Sequence, residues 1–397
     1  MNEQIKRNTP ALVEQTLANY GAWDAVSFLL ISHHLRQTSY EAWRMGEVTC
    51  LEDVLTGNPQ HILDMLDTAL RHATSMHLIS TPTTWSGWGN KAEQTLRLFH
   101  DDSINARFQQ RLSPSADRPQ LDLFMDAPQV ILLNSLRQAL LKRSPECDAL
   151  FDRAMDEIPH EAALVRLDII RAAMGTSAID RPVAWLTYLN EVIAPTARDE
   201  FSHRSMDIMA PLWRTAAHAM QPIPFDPDRP DNHASYAFLL AHDWEQCLAS
   251  LEQIPDCFEQ AGLYDRRIAT LAAMREHQAE RAAWIMYCWF CPDAATTALE
   301  QADLHACGLH GLWQDFSQLE NEQNIGDFPA LIALMNLSPD DQTIIFEHAG
   351  HTTGFQHYQQ VLALLASEQQ GDTDIERRSA LKESSPWLFQ VFMASRL

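Results

Sequence analysis

Five residues in the C-terminal half have the types and spacing that a metal ion requires. Cys288 and Cys291 stand as C-x2-C, followed by His305, Cys307 and His310. Thiolate and imidazole donors so spaced can close a tetrahedral zinc site. Against that chemistry, Cys288-Trp289-Phe290-Cys291 ends a strongly apolar helical pattern. No glycine knuckle separates the two cysteines, Pro292 opens a further helix, and His305, Cys307 and His310 straddle Gly308. Buried free cysteines fit the same pattern. No cofactor is therefore expected, and zinc stands as the alternative. Glu200 and His203 have the i, i+3 spacing used in di-iron helical bundles, which also need a second such pair and two further glutamates. The other Glu-x-x-His, Glu157 to His160, is interrupted by Pro159, so both pairs read as surface pairs. His348, His351 and His357 flank Gly350 as surface or cap residues, and the adjacent His33 and His34 diverge on a helix. With 17 histidines in the chain, chance clusters are frequent. A Gly-rich phosphate loop, a nucleophile elbow and a Ser-His-Asp order are all missing, so no catalytic residue is assigned.

The elements that would position these residues are helices. From Asp243 to Leu319 the apolar residues recur at helical spacing in short sets: Trp244, Cys247, Leu248, Leu251 and Ile254; Ala283, Met286, Tyr287 and Phe290; Ala295, Ala298, Leu299 and Ala302; Leu309, Leu312, Trp313 and Phe316. Each set ends at a breaker: Pro255, Pro292, Gly308 or the polar run Glu320–Asn324. Helices this short cannot bury their apolar faces alone and must stack on neighbours. The rest of the chain reads alike. A helical region over residues 10–37 is interrupted at Gly21, an amphipathic helix covers 59–78, and short helices are expected near 91–99 and 102–110. Three further helices run from Leu132 to Met174, then others near 182–194 and 196–220. The last lie near 328–336, 339–348, 354–368 and 373–392. Alternating strand patterns and recurring hairpin turns are not apparent. The expected fold is all-α: stacked helical hairpins in an α-solenoid, in two subdomains. Residues 1–220 form the N-terminal region, with an irregular stretch at 111–128. Four prolines in 221–231 forbid helix there and make it the connector. Residues 232–397 form the C-terminal array.

Composition narrows the functional classes. With 29 basic against 53 acidic residues, the chain carries a formal net charge of −24. Phosphate-backbone binding needs clustered Lys and Arg, so direct nucleic-acid binding is not expected and any charged partner should be basic. Seven cysteines, an odd number spread along the chain, point to a reducing compartment rather than a disulfide framework. The first residues lack the apolar core of a signal peptide, and runs such as Phe28–Ile31 are far too short to span a membrane. A cytoplasmic protein with no membrane contact is the expectation.

Two local resemblances bear on partners. Cys147, Phe151, Ala154 and Pro159 are spaced like the second-helix half of a tetratricopeptide repeat. Ile131, Asn134, Ser135 and Gln138 replace that repeat's first-helix signature, so the resemblance covers about one repeat. It implies a degenerate TPR-like array presenting a concave surface to a peptide or protein. Gln120-Leu121-Asp122-Leu123-Phe124, in the irregular stretch, resembles the pentapeptide with which bacterial proteins dock on the sliding clamp of replication and repair. Two leucines and an aromatic on an extended segment would fill an apolar cleft while the glutamine anchors the backbone. Trp85 and Trp88, in the loop Thr81–Gly89, form a second candidate contact surface. The leading expectation is a non-enzymatic helical scaffold for a protein or peptide partner. The alternatives are a clamp-docking replication or repair factor and a zinc-binding helical protein.

Overall fold

A computed structural model of the chain describes residues 3–91, 93–114, 128–176, 178–254, 260–319, 324–340, 342–348, 352–369 and 375–394. The protein is all-α with a few short strands. It folds as two compact units, Met1–Met220 with Leu240–Asp243, and Gln221–Leu239 with Trp244–Leu397.

In the first unit local chemistry sets the helix starts. The Asp24 carboxylate accepts from the Ser27 amide (2.9 Å) and the Ser27 hydroxyl (2.9 Å), capping the helix Ala25–Ile31. Asn58 caps Pro59–Ser75, where Pro59 supplies a fixed φ and lacks only an amide that would be unpaired anyway. That helix buries Ile62, Met65, Leu66, Ala69, Leu70 and Ala73, the stripe its 3.6-residue period predicts. Gly21 ends the first helix at φ +67°, a left-handed conformation that a Cβ would strain. A Cβ there would also lie 2.4 Å from the Asn134 side chain.

Strands appear where none is expected. Trp23–Asp24, Gln110–Ser113 and Ile79–Pro82 form a three-stranded antiparallel sheet with Gln110–Ser113 in the middle. Trp85–Ser86 pairs with Thr95–Leu96, so the helix expected over 91–99 is replaced by a strand and an extended tail. The cause is tertiary: Leu51 and Glu52 amides donate to the Arg97 and Leu98 carbonyls, each at 3.0 Å, and hold that tail extended.

Pro128–Lys142 then packs on Cys147–Glu157, which touches Ala162–Met174. The helix from Pro182 to Phe201 contains one π turn at Leu189–Ile193 and breaks at Ser202, where φ is +48°. Ser205–Met220 closes the unit.

The second unit takes in the proline-rich stretch, which is fastened rather than free. Arg266, on the helix Ala261–Met274, donates to the Pro230 carbonyl (3.2 Å) and the Asp231 carboxylate (3.0 Å). From there Trp244–Glu252, Ala261–Met274, His277–Phe290 and Pro292–Gln301 pack each on the next. Arg275, in a left-handed conformation, turns the chain between the second and third of these. The core of this unit runs through Trp284, Trp289, Phe328, Tyr358 and Phe392, with Phe328–Leu334 buried at every position. No helix among the described residues is long and apolar enough to cross a membrane.

Candidate functional site

In the second unit, three consecutive helices leave a groove of about 670 Å³ along their flank. Each helix presents residues at i, i+3, i+4 and i+7 or a subset of them. Asp265, Ile268, Ala269 and Ala272 come from the first, Glu280, Trp284 and Tyr287 from the second, and Ala294, Thr297, Ala298 and Gln301 from the third. Six of the fourteen lining residues are alanines, and side chains that short leave the space open. Three are carboxylates, Asp265, Glu280 and Asp303, and none of the described lining residues is Lys, Arg or His.

The floor is aromatic. Tyr287 stacks on Tyr264 with ring centroids 4.8 Å apart, and Trp284 stacks on Tyr287 at 6.0 Å. The Tyr287 hydroxyl donates to Asp265 at 3.0 Å. Burial raises the Asp265 carboxyl above its ordinary value, partly offset by that hydrogen bond, while burial and the adjacent Asp265 charge push the Tyr287 phenol far up. The indole Nε1 of Trp284 is buried and lacks a hydrogen-bond partner among the described residues. Glu280 is only 3% exposed through its side chain and lies 3.3 Å from His277 Nδ1. Aromatic faces beside carboxylates, with no Lys, Arg or His among the described lining residues, favour a positively charged occupant.

A second cavity, about 300 Å³, lies in the first unit beside Gly21, Arg111 and Asn134. It is bounded by Ser113 and Pro114, at the edge of the described residues.

The metal candidates of the second unit are not gathered. Among the described residues, no three ligand atoms of Cys288, Cys291, His305, Cys307 and His310 come within 4.8 Å of one another. Cys288 sits inside His277–Phe290, 1% exposed, and burial drives its thiol far above the ordinary range. Cys307 points its Sγ toward the Leu304 carbonyl, and burial together with Glu280 pushes its thiol up to about 12. His305 and His310 stack on each other with ring centroids at 3.7 Å. Packing explains the outcome: Cys288 lies on the buried face of its helix, in the apolar cluster with Trp284 and Trp289.

The carboxylate–histidine pairs also have other partners. Glu200 is clasped by Arg137 and Arg166, and the helix breaks at Ser202, between it and His203. The expected surface pair is therefore corrected: both residues are buried. Glu157 pairs with Arg153 along its own helix. His357 is buried against Asp327 at 2.7 Å, not on the surface, whereas His348 and His351 lie outside the described side chains. Gln120, Leu121, Asp122, Leu123 and Phe124 also lie outside the described residues.

Trp85 and Trp88 are each 5% exposed and so offer no contact surface in this conformation. They enclose Arg44, whose guanidinium lies 4.8 Å from the Trp88 ring and 5.4 Å from that of Trp85. Arg44 donates to Asp207 (2.6 Å), the Tyr40 hydroxyl (2.6 Å) and the Ser86 carbonyl (2.9 Å). Asp207 further accepts from Trp88 Nε1 (3.1 Å) and Arg204 (3.1 Å). A buried ion pair with its hydrogen bonds made is an internal brace, and the loop's tryptophans are what keep water from it. The sequence carried a signal for this brace in Tyr40 and Arg44, four residues apart on one helix, but their partner Asp207 is 163 residues on.

No protein-family model, no curated protein and no solved structure matches the chain at a significant level.

Proposed function

We propose that the chain is a non-enzymatic helical scaffold, a degenerate TPR-like array of stacked hairpins, whose second unit holds a basic segment of a partner protein. The observation that carries this reading is the groove between Ala261–Met274, His277–Phe290 and Pro292–Gln301. It combines three carboxylates, an aromatic floor and alanine walls, with no basic group among its described lining residues. Helix-by-helix packing from Trp244 to Gln301 supports the array, as does the hairpin of Pro128–Lys142 on Cys147–Glu157, where Phe151 and Ala154 are buried at the positions resembling a tetratricopeptide repeat. A groove with this lining suits an amphipathic helix that lays small or apolar residues on the alanines and Lys or Arg beside Asp265 and Asp303.

The test is fluorescence anisotropy of the full chain with a labelled amphipathic peptide rich in Lys and Ala, beside a Glu-for-Lys control. Ala298→Trp fills the groove without altering charge and should abolish binding. Asp265→Asn with Asp303→Asn should weaken it about 5-fold, as expected for two solvent-screened pairs of about 0.5 kcal/mol each. Added salt should weaken it further. Equal binding by wild type and Ala298→Trp would mean that the peptide senses only the overall negative charge, and the reading falls.

A further inference from the structure

A separate constellation in the first unit has nothing to do with the groove. Among the described residues, Cys50, Glu52 and His100 alone bring three candidate metal-ligating atoms within 4.8 Å of one another. They come from two segments whose backbones are joined: Cys50 and Arg97 form a parallel bridge, and the Leu51 and Glu52 amides donate to the Arg97 and Leu98 carbonyls, each at 3.0 Å. The His100 amide donates to Glu52 Oε2 at 3.0 Å, which fixes the carboxylate over the histidine's own backbone. Cys50 is 1% exposed and lies at the floor, whereas His100 is exposed, so an ion could reach the site from solvent.

A fourth group completes the arrangement. Asp53 Oδ1 lies 2.7 Å from His100 Nε2. If Nδ1 binds the ion, Asp53 holds the opposite edge of the ring, as carboxylates behind metal-bound histidines do. If Nε2 binds it, the Asp53 oxygen is already beside the metal as a fourth donor. A thiolate, an imidazole and one or two carboxylates make a donor set of intermediate softness, suited to zinc rather than to calcium or magnesium. Tetrahedral zinc places its donors roughly 3.3 to 3.8 Å apart given bonds of about 2.0 to 2.3 Å. The three donor atoms, each within 4.8 Å of the others, would draw together on binding, and the backbone bridge already sets the distance between the two segments.

We propose that Cys50, Glu52 and His100, with Asp53 beside them, bind one Zn²⁺ ion that staples Leu51–Val54 to the strand tail at Arg97–His100. Binding exchanges the Cys50 thiol proton for the metal, so one proton is released to solvent. Nothing is oxidised or reduced.

The experiment is calorimetric titration of the full chain, freed of metal, with ZnCl₂, together with Co²⁺ absorption as a report on the ligands. Wild type is expected to take up one Zn²⁺ at this site, and the Co²⁺ form to show a thiolate charge-transfer band with tetrahedral ligand-field bands. His100→Ala alters an exposed side chain and should abolish this uptake while circular dichroism stays unchanged. Asp53→Asn should weaken it roughly 10- to 100-fold, the usual effect of losing a ligand's carboxylate support. Cys50→Ser should remove the charge-transfer band. Zn²⁺ should also raise the melting temperature of wild type and leave that of His100→Ala unmoved. No uptake by wild type, or uptake that survives His100→Ala at full stoichiometry and affinity, overturns the proposal.

Discussion

His203 gives the first unit a calculable dependence on pH. Its ring is held edge-on between Tyr20 and Tyr40, with centroids 5.0 and 5.2 Å away. Both ring nitrogens are buried without a hydrogen-bond partner among the described residues. Asp24 and Asp207 act to raise its pKa, and Arg204 and Arg44 to lower it. Desolvation outweighs them all and depresses it from 6.5 to about 4. A histidine so depressed stays neutral in the fold while the unfolded chain takes up a proton. The stability it contributes is therefore intact above pH 6.5, declines as pH falls below that value, and is fully lost below about 4. From those two values the loss between pH 7.5 and pH 5 is about 2 kcal/mol, approaching about 3 kcal/mol at the acid limit. His203→Phe keeps a ring between the tyrosines and cannot titrate. Urea unfolding, read by hydrogen exchange in Ser205–Met220, should show the variant gaining about 2 kcal/mol on wild type between pH 7.5 and pH 5. Carboxylates that protonate over the same range act on both proteins and cancel. Parallel pH profiles, or a His203 ring resonance titrating near 6.5 in the folded protein, would refute the reasoning.

Two further perturbations probe the frame around it. Arg44→Met leaves Asp207 buried with Arg204 and Trp88 as its remaining partners, and should cost about 3 to 5 kcal/mol in thermal unfolding. Arg44→Met combined with Asp207→Leu should recover a large part, and a double variant less stable than the single would contradict the brace. Gly21→Ala meets both a left-handed φ and the Asn134 side chain. Adding Asn134→Ala removes the atoms at 2.4 and 2.7 Å but keeps a Cβ at 2.8 Å, so in urea denaturation the double variant should recover only part of the loss and stay below Asn134→Ala alone by more than the roughly 1 kcal/mol of backbone strain.

Helical periodicity fixed more of this protein than any single motif did. In Pro59–Ser75 and across Trp244–Phe316, residues three and four apart face the same neighbour, so the pattern of buried positions follows from spacing alone. The same spacing hid the groove. Ala298 and Ala302 belong to the apolar set of their helix, yet they sit at its half-buried flank, while Ala295 and Leu299 fill the core. The period says which residues share a face but not how far a neighbouring helix covers it. The strands were illegible for another reason. Trp85–Ser86 and Thr95–Leu96 are two residues each, too short for an alternating pattern, and exist because partners elsewhere in the chain hold them extended.

Side-chain constellations divide in the same way. From the sequence, C-x2-C and the nearby histidines were the visible metal candidates, because proximity along the chain is what a sequence displays. Cys288 is instead committed to a core by the helix that carries it. The cluster that does converge joins Cys50 and Glu52 to His100 through a backbone bridge between segments about fifty residues apart. The sequence by itself determined most of the helices, their buried stripes and the acidic balance, since propensity, period and charge are local or additive properties. Tertiary structure alone decided which polar groups meet, because an ion pair such as Arg44–Asp207 depends on where long-range packing brings two distant backbones together.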